Sequence, residues 1–277
     1  MSWKCQRPEV LNQPDRGGRM VIPCGYCLGC ESKWRKGWVL RMVLERQSNV
    51  HAYFLTLTYD PSSVPEKLAY EDISGFLKRL RTNTQCTVRF FSVGEYGGQT
   101  KRPHWHMILF SPDLQMPLGL TSIPEWPHGG CLVAAAEPAS MAYVAGYSMK
   151  KRLEEIEVRM SRRPGLGLQR GCEVAQELCR QQKEIEVFPS VLRVGKHLYP
   201  MHRKLRDVMQ EAYLNAGGRI NRLGRLSLAM DIEAGILVAE GNYRKHDRLN
   251  IVRIERTLIK EAERVTKTPQ IYRNTLP

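Results

Sequence analysis

Residues 87–110 read TVRFFSVGEYGGQTKRPHWHMILF, and this stretch decides the fold. Its two halves, Thr87–Val93 and Pro103–Phe110, are rich in β-branched and aromatic residues, and the turn-forming segment Gly94–Arg102 separates them. Two apolar runs around such punctuation predict two antiparallel strands joined as a hairpin. Upstream, YEDISGFLKRLRT (70–82) places Ile73, Phe76, Leu77 and Leu80 on one helical face. HAYFLTLTY (51–59) alternates as a strand, which Asp60-Pro61 ends. Before it a helical stretch runs to about Arg46, with Trp34, Trp38, Met42 and Glu45 at helical spacing. Downstream, residues 111–135 read as a long loop with room for one short strand. A helix follows from about Ala139 to beyond Arg152, with Ser140 as candidate cap. The order β-α-β-β-α predicts an α+β fold with a central antiparallel sheet flanked by helices. Three regions are expected: an N-terminal arm with a cysteine cluster (1–30), a core (31–155), and a basic, mainly helical C-terminal region (156–277). The last includes an amphipathic helix over Tyr243–Val265.

Charge narrows the partners. Lys and Arg number 42 against 28 Asp and Glu, a net charge of +14. Such an excess favours a polyanion, because neutralising phosphates releases condensed counterions. The basic excess is larger in the C-terminal part, where Arg162, Arg163 and Arg170 flank a Pro-Gly turn and Lys196, Arg203, Lys204 and Arg206 follow. These are candidates for a DNA path, although basic runs are most often solvated faces. No apolar run approaches the length needed to span a bilayer, and the N-terminus lacks the apolar segment of a signal peptide. The expected location is therefore the cytoplasm, with no membrane partner and with eight reduced cysteines.

In His104-Trp105-His106 the histidines point to the same face of a strand, roughly 7 Å apart along it. Two imidazoles so placed converge on one ion, and Ile108 and Phe110 continue their face into a core. The plainer reading is a pair of core-edge histidines satisfied by backbone groups. The third ligand of a metal site would come from Glu95, the only carboxylate between Asp72 and Asp113. Two imidazoles and a carboxylate suit Mg²⁺ or Mn²⁺ with positions left for phosphate oxygens.

Tyr143 and Tyr147 stand at i and i+4, hence on one helical face, with Lys150 and Lys151 on or beside that stripe. A phenol is a poor nucleophile until a cation favours its phenolate. Lys150 fits that role, or that of proton donor to a departing 3′-oxygen, and Lys151 that of a DNA contact. Taken alone, the tyrosines read equally well as core residues. With the histidines and the charge they form a coherent set for phosphodiester transfer: tyrosine attack, a 5′-phosphotyrosine link, and reversal to religate.

Cys24, Cys27 and Cys30 show C-x₂-C-x₂-C spacing, and Cys5 could complete four thiolates. Zn²⁺ is the default for such a cytoplasmic set, an iron–sulfur cluster the alternative, and a glycine turn packed with small thiols the plain one. Cys86 and Cys131 read as core residues, and Cys172 and Cys179 as sharing a helix face.

The ordered set Phe54-Leu55-Thr56-Leu57-Thr58-Tyr59, Arg102-Pro103-His104-Trp105-His106 and Tyr143–Lys151 resembles the three motifs of HUH rolling-circle replication initiators. Cys24–Cys30, Gly94-Glu95-Tyr96-Gly97 and Ser161–Gly165 narrow the resemblance to the initiation proteins of gokushovirus-type microviruses, small single-stranded DNA phages. The resemblance covers roughly residues 22–206. It implies a ferredoxin-like HUH endonuclease fold, nicking of single-stranded origin DNA, and action in the cytoplasm of an infected bacterium beside the host replication helicase and polymerase. A transposase or relaxase of the same superfamily shares this chemistry. A zinc-stabilised nucleic-acid-binding protein without catalysis is the alternative of a different class.

Overall fold

The computed structural model describes residues 5–13, 18–97, 101–147, 156–195 and 197–221. Lys150, Lys151, Lys196 and the Tyr243–Val265 segment lie outside these, as does any continuation of the tyrosine helix past residue 147.

The chain divides into two compact units, one of residues 35–183 and 199–218, the other of residues 1–34, 184–198 and 219–277. The first holds a six-stranded sheet of β3 (His51–Thr58), β4 (Arg89–Tyr96), β5 (Pro103–Ser111), β6 (Gly119–Thr121), β7 (Cys131–Ala135) and β8 (Glu157–Met160). Their order is β6-β7-β3-β5-β4-β8, antiparallel at every pairing. Helix α2 (Tyr70–Thr84) makes the crossover between β3 and β4, and β5 inserts between those two strands, a split β-α-β unit. With β7 on the far side of β3, the four central strands have the ferredoxin-like order. Helix α3 (Pro138–Tyr147) follows the fourth of them instead of preceding it.

Alternation along the strands sends side chains to two cores. Leu55, Leu57, Trp105, Met107 and Leu109 meet the Ile73, Phe76, Leu77 and Leu80 face of α2. Ile108, Phe110, Phe91 and Val93 meet Met141, Val144 and Ala145 of α3 and Trp38, Val39 and Met42 of α1 (Leu28–Gln47). Covering the sheet on both sides explains why β4 and β5 are apolar at almost every position. Trp34, spaced with Trp38 and Met42, is exposed instead, because the buried stripe of α1 begins after it.

Three expectations are corrected. Strand β4 runs on to Tyr96, so Glu95 is a strand residue rather than part of a turn. The segment 111–135 contributes two strands, and β7 is a full neighbour of β3. Ser140 is not the residue before α3 but lies inside it. Its hydroxyl accepts the Glu137 N–H at 2.8 Å and donates to the Glu137 carbonyl, while Pro138 takes the first helical position, where its missing N–H costs nothing.

Past residue 155, β8 joins the sheet edge, and α4 (Leu168–Gln181) packs on α5 (Arg203–Asn215). Gly171 lets α5 come close, since a Cβ there would stand 2.8 Å from Leu205. Cys179 is buried in α4 one face-repeat from Cys172, Cys131 is buried in the core, and Cys86 packs at its margin. In the other unit β1 (Glu9–Gln13) pairs with β2 (Gly18–Ile22) as an antiparallel ribbon, and β9 (Glu184–Ile185) pairs in parallel with β12 (Arg219–Ile220). Two further strands, β10 (Val191–Val194) and β11 (His197–Pro200), pair with each other. Among the described residues no helix is long and apolar enough to cross a membrane.

Candidate active site

The register of the β4–β5 hairpin sets Glu95 opposite His104 and Val93 opposite His106. Directly paired residues share a face, so the carboxylate and both imidazoles emerge together on the α3 side. The opposite side of the hairpin is locked. Gly94 has no side chain because the Trp105 ring lies where a Cβ would be, at 2.9 Å. The Trp105 indole donates to the Tyr59 hydroxyl at 3.1 Å, and that hydroxyl donates to Asp72 at 2.7 Å. Arg102 donates to the Tyr59 carbonyl at 2.6 Å, and Gly97 donates to Arg102 at 2.9 Å. Clamping Trp105 therefore fixes the two histidines that flank it.

Glu95 Oε1 stands 3.0 Å from His104 Nε2 and 3.3 Å from His106 Nε2. Each imidazole is held through its other nitrogen, His104 Nδ1 by the Arg102 carbonyl at 3.3 Å and His106 Nδ1 by the Thr56 hydroxyl at 3.2 Å. With Nδ1–H donated to a carbonyl, His104 presents its Nε2 lone pair to the carboxylate. His106 is 5 % exposed, and its Nε2 lacks a hydrogen bond of proper geometry. Burial lowers its imidazole pKa below the ordinary value, against the pull of Glu95, which favours the neutral ring. Burial alone would raise the Glu95 carboxyl, but the two histidines hold it down to about 2, so it is ionised. Two nitrogen lone pairs and a carboxylate oxygen facing one point, with an orphaned buried nitrogen among them, is the donor arrangement a divalent cation fits.

Helix α3 brings the tyrosines to this point. Their hydroxyls are 2.7 Å apart. The His106 ring lies 5.3 Å from Tyr147 in a stacked arrangement and 5.2 Å from Tyr143 edge-on. Phe54 of β3 packs against both His106 and Tyr143. Burial first, then the bond to Tyr143 and the nearby Glu95 charge, push the Tyr147 phenol well above its usual pKa. It is a neutral phenol there, and a cation beside Glu95 would reverse the electrostatic part of that bias.

Five of the residues singled out in the sequence thus come together: Glu95, His104, His106, Tyr143 and Tyr147. Cys5, Cys24, Cys27 and Cys30 form a separate group. Arg162 and Arg163 do not join the triad. They are exposed on the turn after β8, which pairs Met160 with Phe91 and so runs toward the other end of β4, about 20 Å from Glu95 by strand rise. That turn is held by Arg89 on the Pro164 carbonyl, Arg41 on the Leu166 carbonyl and Glu45 on the Gly167 amide. Thr56 and Phe54 were missed as site residues. The available signal was the pair of threonines at alternate positions of an otherwise apolar strand.

A family model for replication-associated proteins of the ORF2 type matches residues 52–152, the segment that carries all five site residues. The relatives are phage proteins. The replication-associated protein VP4 of Bdellovibrio phage phiMH2K is 30% identical over 153 residues, 47% of this chain and 49% of that protein. The replication-associated protein ORF4 of Chlamydia phage 1 is 32% identical over 152 residues, 47% of this chain and 38% of that protein. The replication-associated protein ORF2 of Spiroplasma virus 4 is 26% identical over 233 residues, 70% and 71% of the two chains. The match thus spans half or less of the length of the first two. No solved structure matches the chain. These findings bear out the resemblance drawn from the motifs and support a microvirus-type replication initiator.

Proposed function

We propose that this chain is a rolling-circle initiator that nicks single-stranded DNA at a phage origin, holds the 5′ end as a phosphotyrosine, and rejoins the strand. The observation that carries the reading is the packing of two hydrogen-bonded tyrosine hydroxyls against His106, one member of a Glu-His-His donor set. Glu95, His104 and His106 would hold Mg²⁺ or Mn²⁺, and the ion would supply Lewis-acid polarisation of the scissile phosphate.

The protein's own part is positional. Thr56 and the Arg102 carbonyl aim the two Nε2 atoms, and α3 aims the phenols. One tyrosine oxygen attacks phosphorus in line, the P–O3′ bond breaks, and the 3′-oxygen takes a proton, for which Lys150 is the proposed donor. The paired hydroxyls allow the proton of one phenol to be shared with the other. A second tyrosine then attacks a new junction while the first still holds the old 5′ end, and closure returns a circle. The partners in this reading are origin single-stranded DNA and the host replication helicase and polymerase, in the cytoplasm of an infected bacterium.

The test is incubation with a single-stranded origin oligonucleotide and Mn²⁺, followed by a denaturing gel. A covalent protein–DNA band is expected, reduced in Tyr143→Phe and in Tyr147→Phe and absent in the double variant. His106→Ala should abolish cleavage while leaving DNA binding nearly intact. A covalent band that persists in the double tyrosine variant would refute the assignment, and intact DNA under every metal would favour a binding protein without catalysis.

A further inference from the structure

Four cysteines that the nicking chemistry does not use come together in the N-terminal unit. From Cys5 the chain runs out and back through the β1–β2 ribbon and returns to Cys24, Cys27 and Cys30. The four sulfurs all lie within 4.8 Å of one another. Cys5 Sγ is 3.4 Å from Cys24 Sγ and 3.9 Å from Cys27 Sγ. In a tetrahedral site with metal–sulfur bonds of about 2.3 Å, neighbouring sulfurs stand about 3.8 Å apart. A disulfide would need about 2.05 Å, and all four are free thiols.

The backbone supports charge on these sulfurs. Gln6 N–H points at Cys27 Sγ (3.3 Å), Cys24 N–H at Cys5 Sγ (3.2 Å) and Tyr26 N–H at Cys24 Sγ (3.5 Å). Gly25, in the left-handed region at φ 77°, makes the turn between Cys24 and Cys27. Cys30 sits in the first turn of α1, where the helix dipole favours an anion. Packing of small apolar thiols does not explain the cluster, because only Cys30 is buried and the other three are partly open to solvent.

We propose that Cys5, Cys24, Cys27 and Cys30 form a tetrathiolate Zn²⁺ site that closes the base of the β1–β2 ribbon onto the start of α1. The ion would displace four thiol protons to solvent and leave four zinc–sulfur bonds, with no change of oxidation state. An all-sulfur set selects a thiophilic cation, whereas Glu95 with two imidazoles accepts a harder one. The chain would thus carry two metal sites of different class. A two-stranded ribbon is marginal in water by itself, so metal binding would supply the folding free energy of this segment.

The test uses the full chain purified under reducing conditions without chelator. One zinc per chain is expected, and Co²⁺ exchange should give the thiolate charge-transfer bands of a tetrahedral site. Both should be lost in Cys27→Ser and kept in Cys86→Ser and in His106→Ala. On the native protein, alkylation of Cys5, Cys24 and Cys27 should be slow and become at least tenfold faster after a strong chelator. If Cys27→Ser does not fold, the cobalt spectrum and alkylation of the unmodified chain decide. Absence of zinc together with absence of thiolate–cobalt bands would overturn the proposal, as would fast alkylation unchanged by chelator, or loss of the zinc in His106→Ala. None of these outcomes depends on DNA cleavage, so the two readings fail separately.

Discussion

Thr56 shows how much of the site lies one bond away from its obvious members. Its hydroxyl is 3.2 Å from His106 Nδ1 and so sets which way Nε2 faces. Groups that orient a metal-bound histidine are worth about 10–100-fold in metal affinity or activity. Thr56→Val keeps the side-chain shape and removes only that contact. The expected result is a rise of at least about tenfold in the Mn²⁺ concentration giving half-maximal cleavage, with the stability of the fold nearly unchanged. An unchanged Mn²⁺ requirement would mean that the hydroxyl does not aim the ring. His104 and His106 were legible as a pair because strand alternation is a local rule. Glu95 was legible only as the one carboxylate within reach, and its burial depends on β4 continuing two residues past the expected end.

At the level of elements, the hairpin and α2 were readable because each carries its own apolar period, and the four α2 residues named from the pattern are the buried ones. β7 was not readable. It sits in the sheet without a strong pattern of its own, because β3 on one side and β6 on the other supply its partners. The turn after β8 depends on Glu45 of α1, whose carboxylate pairs with Arg89 and accepts the Gly167 amide at 2.7 Å. Removing one partner of a buried pair leaves the other charge unmatched, at a cost of about 3–5 kcal/mol. Glu45→Ala should lower unfolding free energy by about 3 kcal/mol in urea titration. A loss below about 1 kcal/mol would mean that water replaces the carboxylate at little cost.

For the whole molecule, the excess of 14 positive charges gives the proposed DNA reading a quantitative consequence. Affinity for single-stranded DNA should fall linearly on a log–log plot against salt, with slope about −0.7 per phosphate neutralised. Arg162 and Arg163 lie about 20 Å from Glu95 along the sheet, too far to touch the reacting phosphate, so they can act only on the strand beyond it. Replacing both by Ala should weaken binding and reduce the slope by about 1.4, two phosphates' worth, with the cleavage rate at saturating DNA unchanged. A salt slope equal to that of the unmodified chain would remove them from the DNA path.

By itself the sequence determined the α+β class, the hairpin, the amphipathic α2, and the residue types of the site, because strand and helix periods and turn chemistry are local. It also set the order of the three motifs and hence the resemblance that the comparisons bear out. Tertiary structure decided what periodicity cannot reach. It set the register that places Glu95 opposite His104, the packing of α3 that lays two phenols on His106, and the return of Cys24–Cys30 to Cys5. It also separated Arg162 and Arg163 from the site they were expected to serve. Each of these joins residues distant in the chain, and such contacts are chosen by long-range pairing and burial, not by the pattern within any one segment.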